Sequence, residues 1–254
     1  MNTRNRLVAA NWKMQLSAKE SESLAMHIVG ELAQMPSNCE VVFAASFPVL
    51  DRIVSVVAGQ PNVSVAAQNC AIASQGALTG EVSPEMLKEI GVSKVIIGHS
   101  ERRLLFSEDN ATLKRKVDAA LAVGLDVIFC CGETDKERQA GMQMQVVEKQ
   151  FKESLGHLKG VAWDSVSIAY EPVWAIGTGK TPTGPEIEEM IGCVRVLVHD
   201  HAGNTGVKVR VIYGGSVNTS NAKDIFALAE VDGGLVGGAS QNALDFVQII
   251  NSLP

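Results

Sequence analysis

Short apolar runs that alternate like β-strands recur along the chain, and longer segments with helical periodicity separate them. Helices are predicted over Ala18–Gln34, over Asn110–Ala122 with Gly124 as the stop signal, and over Pro185–Asp200. Because strands and helices alternate along the chain, the pattern predicts an α/β fold of parallel strands joined by helical crossovers. The predicted strands are Leu7–Asn11, Val41–Ala45, Val63–Ala67, Lys94–Ile97, Asp126–Cys130, Ser165–Tyr170, Lys208–Tyr213 and Gly234–Val236.

The number of strand–helix units favours a closed barrel. Eight units in 254 residues fit a (β/α)8 barrel. The alternative, a doubly wound open sheet, needs a glycine-rich nucleotide turn after its first strand, and here that strand leads into Asn11-Trp12-Lys13-Met14. Since no Pro-rich linker or charged tail divides the chain, we expect one barrel domain over residues 1–254. Functional side chains are then expected at the carboxyl ends of the strands.

Composition narrows the class of protein. Hydrophobic residues make up 46% of the chain and aromatic residues only 5%, which predicts an aliphatic core. The net charge of -6 argues against a nucleic-acid partner, although a local site for a small anion is compatible with it. The five cysteines match neither a disulfide framework nor a metal site, and this favours a reducing compartment. With no signal peptide or membrane-length apolar run predicted, we expect a cytoplasmic protein without membrane contact.

A carboxylate follows the sixth predicted strand. Glu171 comes directly after Ser165–Tyr170, and Pro172 then prevents simple continuation of the strand. The next residues form the glycine-containing loop Trp174–Thr181. A carboxylate at a rigid strand end beside a mobile loop suits a catalytic base under a lid, whereas an isolated Glu-Pro would simply be an exposed strand terminus.

Two further polar side chains follow the first and fourth strands. Lys13 could hold an anion, form a Schiff base or remain solvated. His99 precedes Ser100, which we expect to cap the following helix. A helix start disfavours a charged ring, so His99 is suited to act as a neutral imidazole that donates a hydrogen bond to a carbonyl gaining charge. The alternative is a structural, hydrogen-bonded histidine.

Glycine-rich turns end the last two strands, at Gly214-Gly215-Ser216 and at Gly237-Gly238. Glycine lets backbone N–H groups approach an anion closely, and barrels frequently bind phosphate at these two positions. The two turns together therefore predict a phosphate site. A nucleotide P-loop at Gly177–Thr181 is rejected because the required earlier glycine is Trp174. No metal is expected, since His199-Asp200-His201 fits a solvated helix end.

Seven segments of the chain match, in order, the sequence signatures of the triosephosphate isomerases. They are Asn11–Met14, Gly76–Glu81, His99–Arg103, Cys130–Glu133, Ala169–Thr181, Tyr213–Val217 and Val236–Ser240. The chain thus resembles this family over essentially its whole length. The resemblance implies a TIM barrel that interconverts dihydroxyacetone phosphate and D-glyceraldehyde 3-phosphate, in glycolysis and gluconeogenesis, with no cofactor.

The same resemblance assigns the site residues. Glu171 would be the base, His99 and Lys13 would stabilise the enediolate oxygens, and Glu101 would support Lys13. Cys130 is interpreted as a packed thiol rather than a nucleophile. The lid would be loop 172–183. The substrate-binding residues implied are Asn11, Lys13, Gly177, Ser216, Gly237 and Gly238.

The resemblance also implies a homodimer formed through the loop Gly76–Glu81. Thr79 at its tip would approach Asn11 and Lys13 of the partner subunit. Small departures from the family pattern are Leu78, where phenylalanine is common, and Gln15, where asparagine is frequent. Two other functions remain open on the residues alone. One is another barrel enzyme that grips a sugar phosphate, such as an epimerase, and the other is a non-catalytic phosphate binder.

Overall fold

In a computed structural model, which describes residues 4–34, 39–178 and 180–254, eight parallel strands close into a barrel in chain order. The closure is formed by β1, which pairs with β2 on one side and with β8 on the other. Val8 accordingly lies opposite Val41 and opposite Gly234. The strands are β1 Arg6–Asn11, β2 Cys39–Ala45, β3 Val63–Ala67, β4 Lys94–Ile97, β5 Asp126–Cys131, β6 Val166–Tyr170, β7 Arg210–Tyr213 and β8 Gly233–Val236.

The predicted (β/α)8 barrel is therefore confirmed, with small differences at the strand ends. The sixth strand begins at Val166 rather than Ser165, and the seventh begins at Arg210 rather than Lys208. In both places a short 3₁₀ turn occupies the preceding residues, Gly160–Ser165 and Gly203–Lys208. An apolar pattern does not separate a strand start from such a turn, because both keep the chain against the core.

Helices follow the strands and cover the outside of the barrel. The predicted helix over Asn110–Ala122 has the predicted bounds, and Gly124 ends it with a φ of 73°. There the N–H of Leu125 donates to the carbonyl of Ala120 over 3.0 Å, as at a Schellman-type helix end. The α-helices are α1 Ala18–Leu32, α2 Leu50–Val57, α3 Pro84–Glu89, α4 Ser100–Leu105, α5 Asn110–Ala122, α6 Asp135–Gln139, α7 Gln143–Leu155, α8 Gly184–Ala202, α9 Ala222–Phe226 and α10 Ala243–Ile250.

The core has two layers because both faces of each strand are buried. In β1, Leu7 and Ala9 belong to the inner cluster, whereas Val8 and Ala10 belong to the layer shared with the helices. The inner cluster contains several alanines and no aromatic side chain, which suits the narrow interior of a barrel. This packing explains the low aromatic content of the chain. Within the described part of the chain, no helix is both long and apolar enough to span a membrane.

Candidate active site

Lys13 is held at the end of β1 in an unusual backbone conformation. Its φ is 54°, and its N–H donates to Asn11 Oδ1 over 3.1 Å. Gln68 donates from Nε2 to the carbonyl oxygens of Lys13 and Ala44, each over 2.9 Å. The Lys13 ammonium lies 2.6 Å from Glu101 Oε1. A left-handed non-glycine residue persists only where its surroundings enforce it, so these bonds fix the direction of the lysine side chain.

His99 is placed by the start of α4. Its Nδ1 accepts the backbone N–H of Glu101 over 3.2 Å, so the histidine ring itself caps the helix. The expectation that Ser100 is the cap is wrong, because the ring nitrogen already occupies the position where a cap acceptor is needed. An imidazole nitrogen that accepts an N–H carries no proton. In a neutral ring, this contact leaves the proton on Nε2.

Glu171 is buried at the end of β6, with 1% of its side chain exposed. Its Oε2 accepts the backbone N–H of Ser100 over 2.8 Å, and its Oε1 lies 3.3 Å from His99 Nε2. Oε1 has no hydrogen-bond partner among the residues described. A Cβ on Gly132 would overlap the carbonyl oxygen of Glu171, and one on Gly214 would lie 2.9 Å from its Cγ. The two glycines let neighbouring backbone close around the carboxylate.

Cys130 packs beside this carboxylate. The thiol is fully buried, and burial first, then the adjacent Glu171 carboxylate, raise its pKa well above the ordinary value. A thiol in this state supplies almost no thiolate at neutral pH. The prediction that Cys130 is a packed thiol is confirmed by its complete burial.

A cavity of about 380 Å³ opens between the ends of β1, β7 and β8. A Cβ on Gly237 would lie 3.7 Å from Lys13 Cε, so the turn after β8 closes against the lysine. Glu171 is not among the residues that line this cavity; it lies 3.3 Å from His99 and borders a second cavity of about 480 Å³ between α4 and α7. The predicted site residues that line the first cavity are Asn11, Lys13, His99, Gly177, Ser216, Gly237 and Gly238.

Comparison with known proteins decides the family. A family model described as triosephosphate isomerase matches residues 6–253. The chain belongs to the triosephosphate isomerase family. The resemblance drawn from the seven sequence segments is thereby confirmed.

Relatives in the family are similar over the full length of the chain. The triosephosphate isomerase of Chlorobium chlorochromatii is 46% identical over 250 residues, covering 98% of each chain. That of Chloroherpeton thalassium is 46% identical over 250 residues, covering 98% of this chain and 99% of its own. That of Flavobacterium psychrophilum is 44% identical over 251 residues, covering 98% and 100% respectively.

One group at the site was not assigned a role from the sequence. Glu133 follows β5, is fully buried, and accepts hydrogen bonds from the Tyr170 hydroxyl over 3.1 Å and from the Trp174 indole over 2.8 Å. Arg138 donates to the same carboxylate over 3.2 Å. The signal that could have found Glu133 is its position, since a carboxylate just after a barrel strand lies on the functional face. Trp174 lies in the first turn of loop 172–183, so Glu133 anchors the start of this loop.

The metal motif considered for the sequence lies far from this face. His199 and Asp200 form an exposed pair 3.5 Å apart near the end of α8. Across residues 4–34, 39–178 and 180–254, no three His, Cys, Asp or Glu side chains are grouped to hold a metal ion.

Proposed function

We infer that this chain interconverts dihydroxyacetone phosphate and D-glyceraldehyde 3-phosphate, the isomerisation that glycolysis and gluconeogenesis require. The observation that carries this conclusion is family membership over nearly the whole chain. The site agrees chemically, because Lys13 and His99 line one cavity at the carboxyl end of the barrel and the buried Glu171 carboxylate lies 3.3 Å from His99.

We propose that Glu171 removes a proton from the carbon next to the carbonyl and returns it to the neighbouring carbon. The single bond from Ser100 holds its carboxylate aside and is given up when substrate enters. His99 donates from Nε2 to the oxygen that gains charge, and the Lys13 ammonium stabilises the same enediolate. Proton transfer within one substrate molecule balances the reaction, so these groups suffice without an external oxidant or reductant.

The phosphate of the substrate is proposed to bind at the glycine turns. Gly237 and Gly238 after β8 and Ser216 after β7 line the same cavity as Lys13. Gly177 lines it from the lid side. Loop 172–183 would close over the phosphate and keep water from the intermediate.

We also propose that the active unit is a homodimer. A groove of about 420 Å³ beside the site contains the apolar side chains of Phe47 and Phe106 together with Lys13 and His99. Phe106 is 64% exposed in the isolated chain, and Met14 at the same groove is 93% exposed. The loop Gly76–Glu81 is itself exposed, with Leu78 at 43%. A second copy that inserts this loop would cover the apolar groove and bring Thr79 toward Asn11 and Lys13 of the partner subunit.

Two broader expectations remain proposals. We propose that residues 1–254 form one domain, supported by strands that close the barrel from Arg6 to Val236. We propose a cytoplasmic location, supported by Cys70, Cys130 and Cys131, three buried cysteines that remain free thiols.

The test is a coupled assay with purified protein, run in both directions. We expect isomerisation of glyceraldehyde 3-phosphate and of dihydroxyacetone phosphate. Turnover of another sugar phosphate alone would favour the epimerase alternative. Binding of triose phosphate without turnover would favour a non-catalytic binder.

A further inference from the structure

The lid has two hinges, and each is anchored by a carboxylate. At the first hinge, Trp174 donates its indole N–H to Glu133 over 2.8 Å. At the second, Thr183 caps α8 and forms a reciprocal capping box with Glu186. The Thr183 N–H and hydroxyl both donate to Glu186 Oε2, over 2.7 and 2.9 Å. Each carboxylate therefore fixes one end of the lid.

One guanidinium joins the two carboxylates. Arg138 on α6 donates from one terminal nitrogen to Glu133 Oε1 over 3.2 Å and from the other to Glu186 Oε1 over 3.1 Å. Its Cζ also lies 5.2 Å from the centre of the Trp174 ring. The side chain is 16% exposed, so these contacts are largely shielded from water. The result is a continuous chain of contacts from the first hinge to the second.

The geometry uses a property that arginine has and lysine lacks. A guanidinium presents separate N–H groups in a rigid fork, whereas an ammonium is a single point charge. Glu186 likewise uses its two oxygens separately, Oε2 toward Thr183 and Oε1 toward Arg138. If one hinge moves, the Arg138 guanidinium must therefore shift with respect to the second hinge.

We propose that Arg138 is a positioning residue that couples the two hinges, so that the lid opens and closes as one body. This inference rests on the proposed isomerase function and deepens it. A lid released at one hinge would stay partly open while the enediolate is bound. The intermediate then loses phosphate: its electron pair forms a new C=C bond as the C–O bond to phosphate breaks, and the enol product tautomerises to methylglyoxal.

The informative measurement is the amount of methylglyoxal formed per isomerisation turnover, with kcat, KM and thermal stability measured alongside. For Arg138→Gln we expect a fraction about tenfold higher, which corresponds to a change of about 1.4 kcal/mol in the difference between the two barrier heights. Arg138→Lys should reduce the methylglyoxal fraction only part of the way back to the wild-type value. An ion pair without a role in the lid would leave this fraction unchanged while altering stability.

Glu186→Gln offers a second route to the same link. Glutamine replaces one carboxylate oxygen with an NH2 donor, so it cannot accept from Thr183 on one oxygen and from Arg138 on the other as Glu186 does. We expect a severalfold rise in the methylglyoxal fraction. Glu189→Gln is the matched control, because it makes the same charge change on the same helix but removes only a 4.0 Å ion pair with Arg138 rather than a hydrogen bond. This control should keep the wild-type fraction.

The double variant Arg138→Gln with Glu186→Gln completes the test. If the two residues act through one link, the double variant should leak no more than Arg138→Gln alone. Fully additive effects, or a wild-type methylglyoxal fraction in Glu186→Gln, would overturn the coupling. If Arg138→Gln does not fold, the methylglyoxal fractions of Glu186→Gln and Glu189→Gln still test whether the hinges are coupled. Failure of the wild-type protein to isomerise would instead refute the proposed function itself.

Discussion

The two ends of the barrel use charged side chains in opposite ways. At the amino-terminal end, charges are paired with one another. Asp232 is fully buried between Arg4, 2.8 Å away, and Arg195. Lys94 lies 2.9 Å from Glu40 and also contacts an aspartate at the start of β5. These groups have their partners within the protein, so they stabilise the closed barrel.

At the carboxyl-terminal end, hydrogen-bonding atoms remain available for a ligand. Oε1 of Glu171 has no hydrogen-bond partner in the part of the chain that the structure describes. His99 caps α4 through Nδ1, which leaves Nε2 for other partners, and Nε2 lies 3.3 Å from Glu171 Oε1. A buried group with an unused donor or acceptor is costly to leave unpaired, so it gains free energy when a ligand supplies the partner. The comparison predicts that changes at one end affect activity and changes at the other affect stability.

Glu171→Gln should give the largest effect. Glutamine keeps the shape but cannot take a proton, so we expect kcat to fall about a thousandfold or more while stability is nearly unchanged. Steady-state kinetics and thermal unfolding would check both. The exposed Glu188 on α8 supplies a control, since Glu188→Gln makes the same charge change. Near wild-type turnover in Glu171→Gln would remove this residue from the mechanism.

Leu78→Asp combined with Thr79→Asp should give the next largest effect. Charges would enter the apolar groove of a second copy, so we expect a monomer with very low activity. Sedimentation at micromolar concentration, together with the coupled assay, would measure both properties. Val161→Asp is a suitable control because Val161 is 80% exposed in the turn before β6. A fully active monomer would break the proposed link between assembly and the site.

Asp232→Asn tests the other end of the barrel. Loss of the buried carboxylate removes the nearer of two counter-charges that Arg4 and Arg195 share, the other being the more exposed Glu230, and we expect a loss of about 2 kcal/mol in the free energy of unfolding. The kcat of the folded fraction should stay close to wild type. Denaturant unfolding and kinetics would decide, with Asp164→Asn at an exposed position as control. A large fall in kcat without destabilisation would contradict the comparison.

A change at Glu40 should have a smaller effect on the free energy of unfolding, and this effect should depend on pH. Burial alone would raise the pKa of Glu40, but the Lys94 and Arg210 charges outweigh it and hold that pKa below the ordinary value of 4.5. The carboxylate therefore stabilises the fold above its unfolded pKa, and this contribution is lost as the pH falls through the lower folded pKa. Glu40→Gln should remove it. Free energies of unfolding at neutral and acidic pH should converge for the two proteins at the acidic end, and a constant difference would refute the explanation.

Much of the architecture could be predicted because local patterns carry it. The bounds of α5 were predicted from helical periodicity and Gly124, since both signals are local in sequence. The starts of β6 and β7 were less predictable, because short 3₁₀ turns there bury the same apolar residues as a strand would. The cap at α4 was assigned to Ser100 rather than His99, since capping preferences do not anticipate a ring nitrogen.

The sequence by itself determined the order of strands and helices and which reactive groups follow each strand. Only the tertiary structure decided how those groups meet. It directs Glu171 onto the Ser100 N–H, which is 71 residues away in sequence, and joins Arg138 to Glu186 across 48 residues. Periodicity reports which side of an element is buried, but it contains no distance between elements. Those distances arise when the barrel closes and brings all eight carboxyl ends to one face.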